Sequence, residues 1–377
     1  MGKTLEYLFA GALALAGLAG GCKPVTVEDN RPNPVKIKVP YESIPKLPLE
    51  AELITHINSD PENFDIATAA FMGTGANSWE LGEFEKGFKT KLENLKQDSR
   101  FKNAKTIPEK TRAIFEALYD FRNYEENTSS VVHTMGRTGN CMGGTVYTEM
   151  ACQRNGIDLT SVLTEKHIFA RLKDNGKDIN IETTTFNGWD HKKNLAWEKE
   201  IDNRQLISQY LDNLSCHARD QGEKERELAF TIASAKVYPE ASNMFRIAHK
   251  VRWKYGSDNE VKVFREINSL HQDSEIVRET LARALSFREA QGDIQEAVSL
   301  MLPLVQKENQ RNEFRYEFMG MLHGKLKNYT EAAKWYRKAV ELNPKNKHAK
   351  EYLKEVEKNL IRQRVHKQVD RYYEEKK

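Results

Sequence analysis

Hydrophobic positions change their period along this chain, and the changes divide it. An apolar run from about Tyr7 to Leu18 follows Lys3 and Glu6 and ends in small residues at Cys22. It is shorter than the roughly 20 apolar residues a membrane span needs, so the pattern is that of a signal peptide. From about Leu47 to Lys96 the spacing is helical, with Gly73, Gly75 and Gly82 expected to interrupt it. Thr106 and Glu109 then form a capping box ahead of an apolar stripe at Ala113, Ile114, Leu118 and Phe121. A further helix is predicted from Cys141, carried by Val146, Met150 and Ala151 and stopped at Gly156. The period then falls to two. Leu159–Leu163 and Ile168–Leu172 read as strands, Asp174-Asn175-Gly176 as a turn and Ile179–Thr183 as a third strand. After residue 200 the pattern is helical to the end. Helices, a small antiparallel sheet and then helices alone predict an α+β core followed by an all-α region.

The all-helical region repeats itself. Gly222, Gly256 and Gly292 lie 34 and 36 residues apart, and Lys327, just before Asn328-Tyr329, follows 35 further on. A period of about 34 residues with two helices per unit is the tetratricopeptide signature. The last unit carries it most clearly, with Tyr316, Gly320, Tyr329, Ala332, Tyr336, Ala339 and Pro344 in the aromatic, small and proline places of that repeat. Its neighbour at 278–312 keeps Gly292, Asp293 and Ala297, and the units near 208–241 and 242–277 keep the turn glycines and Pro239. A helix pair cannot bury its apolar face alone, so such units stack and leave a surface for a protein partner. From Lys345 onward there are 11 Lys and Arg against 6 Asp and Glu, with Ala349, Leu353, Val356 and Leu360 at helical spacing, as expected of a capping helix and basic tail.

The domain plan is therefore a signal segment over 1–22, a tether over 23–46, an α+β domain over 47–205, helical repeats over 206–345 and a charged cap over 346–377. Six of the eleven prolines fall between Pro24 and Pro48, which makes the tether semi-stiff. Composition narrows the function classes. With 39% hydrophobic residues the chain can form cores, and 58 Lys and Arg against 55 Asp and Glu give a net charge of +3, with no electrostatic case for nucleic acid. Four cysteines, at 22, 141, 152 and 216, are too few for a disulfide scaffold, so each needs its own reason. The run LAGGC resembles a prokaryotic lipobox, in which Cys22 would carry lipid; an uncleaved anchor and an ordinary secretion signal are the alternatives, and all three put the rest of the chain outside the cytoplasmic membrane, on the cell surface or the periplasmic face. There is no Gly-rich phosphate loop, paired-Cys spacing or His-Glu-x-x-His helix, so neither a metal nor a nucleotide cofactor is expected.

Candidate chemistry gathers in residues 137–191. A Gly139-Asn140 turn places Cys141 at a helix N-terminus, where unpaired backbone amides and the helix dipole favour the thiolate. His167 begins one strand and Glu182 lies on its hairpin partner, close enough for the carboxylate to orient the imidazole. Packed against that helix terminus, the three would form nucleophile, base and orienter in series. Cys152, 11 residues on, is about 20° around the same helix face but about 16 Å along it, which suits core packing and not a bridge to Cys141. Cys216, His217 and Asp220 resemble another reactive set, but helix neighbours point apart.

At PEKTRAIFEALYDFRNY, GNC with its helix closing in NGI, KHIFARL and INIETTTFNG, about residues 106–191, the chain resembles the transglutaminase-like superfamily, papain-like in chemistry, in its shorter branch with tetratricopeptide-like helices appended. The resemblance implies Cys141 as nucleophile, His167 as general base and Glu182 as third member, where many relatives carry Asp. It implies thiol-dependent hydrolysis or acyl transfer on an amide or peptide, without a cofactor. Arg137, Asn140 and Asn187 are the candidates for binding the amide or a carboxylate, and His133 and His191 for lining the cleft or facing solvent. Two non-enzymatic readings remain open: an assembly scaffold holding a partner through its repeats, and a cleft that captures a peptide without turnover.

Overall fold

The computed structural model describes residues 40–124, 141–165, 167–183, 188–190, 197–307 and 312–374. Cys22, Arg137, Asn140 and Asn187, together with His133, His191 and the signal segment, lie outside the described residues. The chain divides into two compact units, residues 40–250 and 251–374, with the division inside the helix Ala241–Tyr255.

In the first unit a short 3-10 turn at Tyr41–Ser43 precedes buried Ile44, so the packed body already includes the last residues assigned to the tether. Helices α1 (Glu50–Ser59), α2 (Ile66–Gly73), α3 (Ser78–Gln97) and α4 (Ser99–Asn103) follow. Two of the expected glycine interruptions stand: Gly73 ends α2, and Gly75 turns at φ +82°. The third does not. Gly82 lies inside α3, a 20-residue helix started by a capping box in which Asn77 and Glu80 satisfy each other's backbone amides. The roughly 1 kcal/mol cost of one helical glycine is too small to break a helix so long and well capped.

Helix α5 (Ile107–Tyr124) starts as its capping box requires: Glu109 accepts from the Thr106 amide and the Thr106 hydroxyl from the Glu109 amide. Helix α6 (Cys141–Gln153) is enclosed, with every residue from Met142 to Cys152 buried, and Gly156 beyond it turns at φ +70°. It packs against α2, α5 and the sheet, in a core where Phe88 stands edge-on to Phe71 and 5.6 Å from the ring of Tyr147.

The sheet has four antiparallel strands in the order β3-β2-β1-β4: β1 (Thr160–Thr164), β2 (Ile168–Asp174), β3 (Lys177–Ile181) and β4 (Glu198–Ile201). Asn175 and Gly176 both take positive φ in the β2–β3 turn, as a tight hairpin demands. The face of Ser161, Leu163, Ile168, Leu172, Ile179 and Ile201 is buried. On the alternate positions Arg171 reaches over β1 to Glu198 and Glu200 and across to Asp178, which holds the edge strand β4. Helices α7 (Asn203–Asp220), opened by an Asp202–Gln205 capping box, and α8 (Lys224–Val237) form a packed pair that completes this body, and α9 (Ala241–Tyr255) follows.

The second unit stacks α10 (Ser257–Leu270), α11 (Glu275–Arg288), α12 (Asp293–Gln306), α13 (Glu313–Lys325) and α14 (Tyr329–Leu342), and α15 (Lys347–Glu374) packs on α14. Positive φ recurs at the predicted period. Gly222, Gly256, Gly292 and Lys327 all have positive φ, the last at 58° without a glycine's freedom. No helix among the described residues is long and apolar enough to cross a membrane.

Gly320 and Gly324 on α13 separate close packing from helix propensity. A Cβ on Gly320 would lie 2.9 Å from the buried Tyr336 ring, whereas one on Gly324 would meet nothing within 4 Å. Gly320→Ala is therefore expected to destabilise by about 1–3 kcal/mol, and Gly324→Ala to stabilise by up to about 1 kcal/mol, in thermal or denaturant unfolding.

Candidate active site

The first turn of α6 holds Cys141 at the margin of the core, partly accessible. Burial works against ionisation of its thiol. A hydrogen bond with His167, the Ile168 backbone amide, the His167 charge and the Met142 amide together outweigh that burial and hold the thiol below its ordinary range.

His167 closes the β1–β2 hairpin, where its carbonyl accepts both the amide (2.8 Å) and the hydroxyl (3.0 Å) of Thr164. Its Nε2 donates to Glu182 Oε2 at 2.5 Å, which leaves Nδ1 as the nitrogen that serves Cys141. The contact with Cys141 first, and Glu182 second, push the imidazole up to about 9 against the opposing effect of burial. Glu182 follows β3 directly. Because Ala170 faces Ile181 across the ladder, continuing the register sets Phe169 opposite Glu182 and His167 diagonal to it, within reach of a long side chain. The Glu182 amide donates to Gly188 O at 2.8 Å and Ile181 bridges to Trp189, so Gly188 and Trp189 lie beside the end of the strand.

The His167 side chain is 22% exposed and that of Glu182 only 4%. The carboxylate is thus the more deeply buried of the pair and the imidazole the more accessible. The three residues form a series of thiol, imidazole and carboxylate. Below the pH at which His167 loses its proton, that series favours a thiolate–imidazolium pair, a nucleophile with an acid beside it.

Two side chains that sequence reasoning did not single out stand in the same place. Thr183 Oγ1 donates to the Cys141 carbonyl at 3.3 Å and lies 3.2 Å from Thr145 Oγ1, both threonines being fully buried. Their sequence signals were adjacency to Glu182 and a one-turn offset from Cys141.

The remaining candidates do not converge on the triad. Cys152 is a fully buried free thiol that burial and the Glu149 charge push upward, away from reactivity. Cys216 is buried on α7, while His217 bonds Gln221 and Asp220 pairs with Arg219. Among the described residues no group of three or more His, Cys, Asp or Glu is arranged to hold a metal ion. In the second unit a groove of about 780 Å³ is lined by Leu302 and Val305 of α12, His323 of α13, and Trp335, Lys338 and Leu342 of α14.

Comparison with known proteins gives a local result. Residues 316–346 match the tetratricopeptide repeat family, which covers most of α13, all of α14 and the turn after it. The matched unit is thus of a repeat type that suggests protein–protein interaction. No curated protein matches the chain.

Glu149, two turns along α6 from Cys141, is a further ionisable group enclosed on that helix. One carboxyl oxygen accepts the Ser161 hydroxyl at 2.5 Å and the other has no partner, so burial favours the neutral form and pushes the group up to about 7. An unfolded glutamate releases its proton near 4.3, so between there and about pH 7 the folded state binds the extra proton and stability falls as pH rises. Glu149→Gln keeps the acceptor and removes the titration. The variant is expected to be flatter over that interval and more stable at pH 8 by about 3 kcal/mol, as read by denaturant unfolding against pH.

Proposed function

We propose that residues 47–205 form a transglutaminase-like cysteine domain that cleaves or transfers acyl groups at an amide or peptide bond. The observation that carries this reading is the series Cys141, His167, Glu182, with the thiol lowered, the imidazole raised and the carboxylate buried behind it. In the first half-reaction the Cys141 thiolate adds to the carbonyl carbon, and first-turn amides and the dipole of α6 stabilise the oxyanion. Collapse expels the amine, which takes the proton from His167, and leaves a thioester on Cys141. Neutral His167 then takes a proton from water or an acceptor amine as it attacks the thioester, and returns that proton to the departing thiolate. Glu182 holds the ring in one orientation and stabilises the imidazolium in both halves.

The tetratricopeptide repeats, in this reading, hold a protein partner or the protein substrate. The same proposal takes the lipobox-like LAGGC as a lipidation signal, with Cys22 carrying lipid and the chain on the outer side of a prokaryotic cytoplasmic membrane. Cys22→Ala is expected to move the protein from the membrane to the soluble fraction; an unchanged distribution would discard the anchor.

The thiol chemistry is tested on the full chain by alkylation against pH, following the Cys141-containing peptide by mass, with Cys141→Ala as blank and His167→Ala alongside. The expected midpoint lies well below the ordinary thiol value of about 8.5 and returns to it without His167. Turnover of a peptide amide, where found, should rise through the Cys141 ionisation and decline as pH passes about 9, because the leaving amine then lacks its proton donor. A Cys141 that titrates as a free thiol would overturn the enzymatic reading in favour of a scaffold.

A further inference from the structure

The two hydroxyls behind the triad form a connection that neither helix nor sheet requires. A buried threonine on a helix usually spends its proton on the carbonyl one turn back. Thr148 does so on α6 itself, donating to Gly144 O at 2.8 Å. Thr145, one turn nearer the N-terminus, has the Cys141 carbonyl as its local option. Its hydroxyl instead lies 3.4 Å from Ile168 O and 3.2 Å from Thr183 Oγ1, and Thr183 is the residue that donates to Cys141 O, at 3.3 Å. Two protons thus serve three contacts. The contacts join the carbonyl of Cys141, the carbonyl of the residue after His167 and the side chain of the residue after Glu182.

We propose that Thr145 and Thr183 are positioning residues that lock α6, β2 and the end of β3 in the one register at which Cys141, His167 and Glu182 meet. The proposal rests on the thiol chemistry above and deepens it. Both threonines are fully buried, so water cannot replace the link. A valine at either place would fill the same volume without a polar group to satisfy, so packing alone does not call for the hydroxyl. The Cys141 thiolate depends on His167 and on the Ile168 amide, groups borne on β2, and a relaxation of α6 against β2 lengthens both hydrogen bonds at once.

The test compares Thr183→Val, Thr145→Val, Thr183→Ser and wild type in the full chain, reading the Cys141 alkylation profile against pH together with thermal unfolding. Thr183→Val is expected to unfold cooperatively but to move the Cys141 midpoint up by about one unit, which is about a tenfold loss of thiolate below that midpoint. Thr183→Ser, which keeps the hydroxyl, should retain the wild-type profile, and the double valine variant should shift no further than either single one. A folded Thr183→Val with an unshifted profile would overturn the positioning role and leave the triad standing, whereas a wild-type midpoint at the ordinary thiol value would bring down both. Should Thr183→Val fail to fold, Thr145→Val breaks the same link from the helix side and decides the question by the same two readings.

Discussion

The enclosure of α6 is the constraint on which the first unit depends. A helix buried on all sides has no solvent face to absorb a change of neighbours, so α2, α5, α7 and β2 must each present a complementary surface to it. Gly143, Gly144 and Ala151 are its small buried positions, while Val146, Tyr147 and Met150 bring larger buried side chains into the core. Once so held, the helix has only its ends to present. Its N-terminus reaches the start of β2, and there Cys141 finds backbone amides, a dipole and an imidazole without any movement of the scaffold. A thiol placed this way is set by the core rather than by a loop, which is why the neighbouring Met142 amide and the Ile168 amide both contribute to its ionisation.

What was legible in the sequence was local. The capping box at Thr106 and Glu109, the glycine stop at Gly156, the Asn175-Gly176 turn and the first two strands each depend on residues within one turn or one hairpin and appear where their patterns predict, whereas β3 runs Lys177–Ile181, two residues earlier than the expected Ile179–Thr183, and leaves Glu182 and Thr183 just beyond it. His167 and Glu182 could be paired for the same reason, because a hairpin converts a short sequence separation into a cross-strand distance. Three features were not legible. Strand β4 is four residues with a single buried apolar side chain, Ile201, and is secured by ion pairs to Arg171, 27 and 29 residues earlier. Gly82 reads as a break in isolation, yet it sits in a helix whose length and cap dominate. The Thr145 and Thr183 contact joins positions 38 apart, and nothing in either local pattern distinguishes it from a pair of unremarkable helix and loop threonines.

The repeats show the converse, a structure more regular than its sequence. One unit matches the tetratricopeptide family, over residues 316–346. The turn geometry nevertheless persists at Gly222, Gly256, Gly292 and Lys327, because the backbone must reverse direction through a left-handed residue whatever the flanking helices have become. Helix identity can drift so long as each pair buries its face against the next, while the reversal has few chemical solutions. Repeat number is thus better read from turn spacing than from the aromatic and small positions.

Polar groups inside α6 are what separate a packing element from a functional one. A helix so fully enclosed would gain stability from apolar side chains throughout, yet it carries Thr145, Thr148 and Glu149, the last with a carboxyl oxygen left without a partner. Local departures from a consistent core usually mark a site where structure serves chemistry. Here they do not scatter. Thr145 lies one turn behind the thiol and turns away from its own helix toward the strand ends that carry the base and its carboxylate, and Glu149 continues the same helix into the sheet through Ser161. The costs are thus incurred on the element that bears Cys141, at the positions that tie it to the sheet. In the proposed thiol chemistry, those hydroxyls would hold the register of Cys141 against His167.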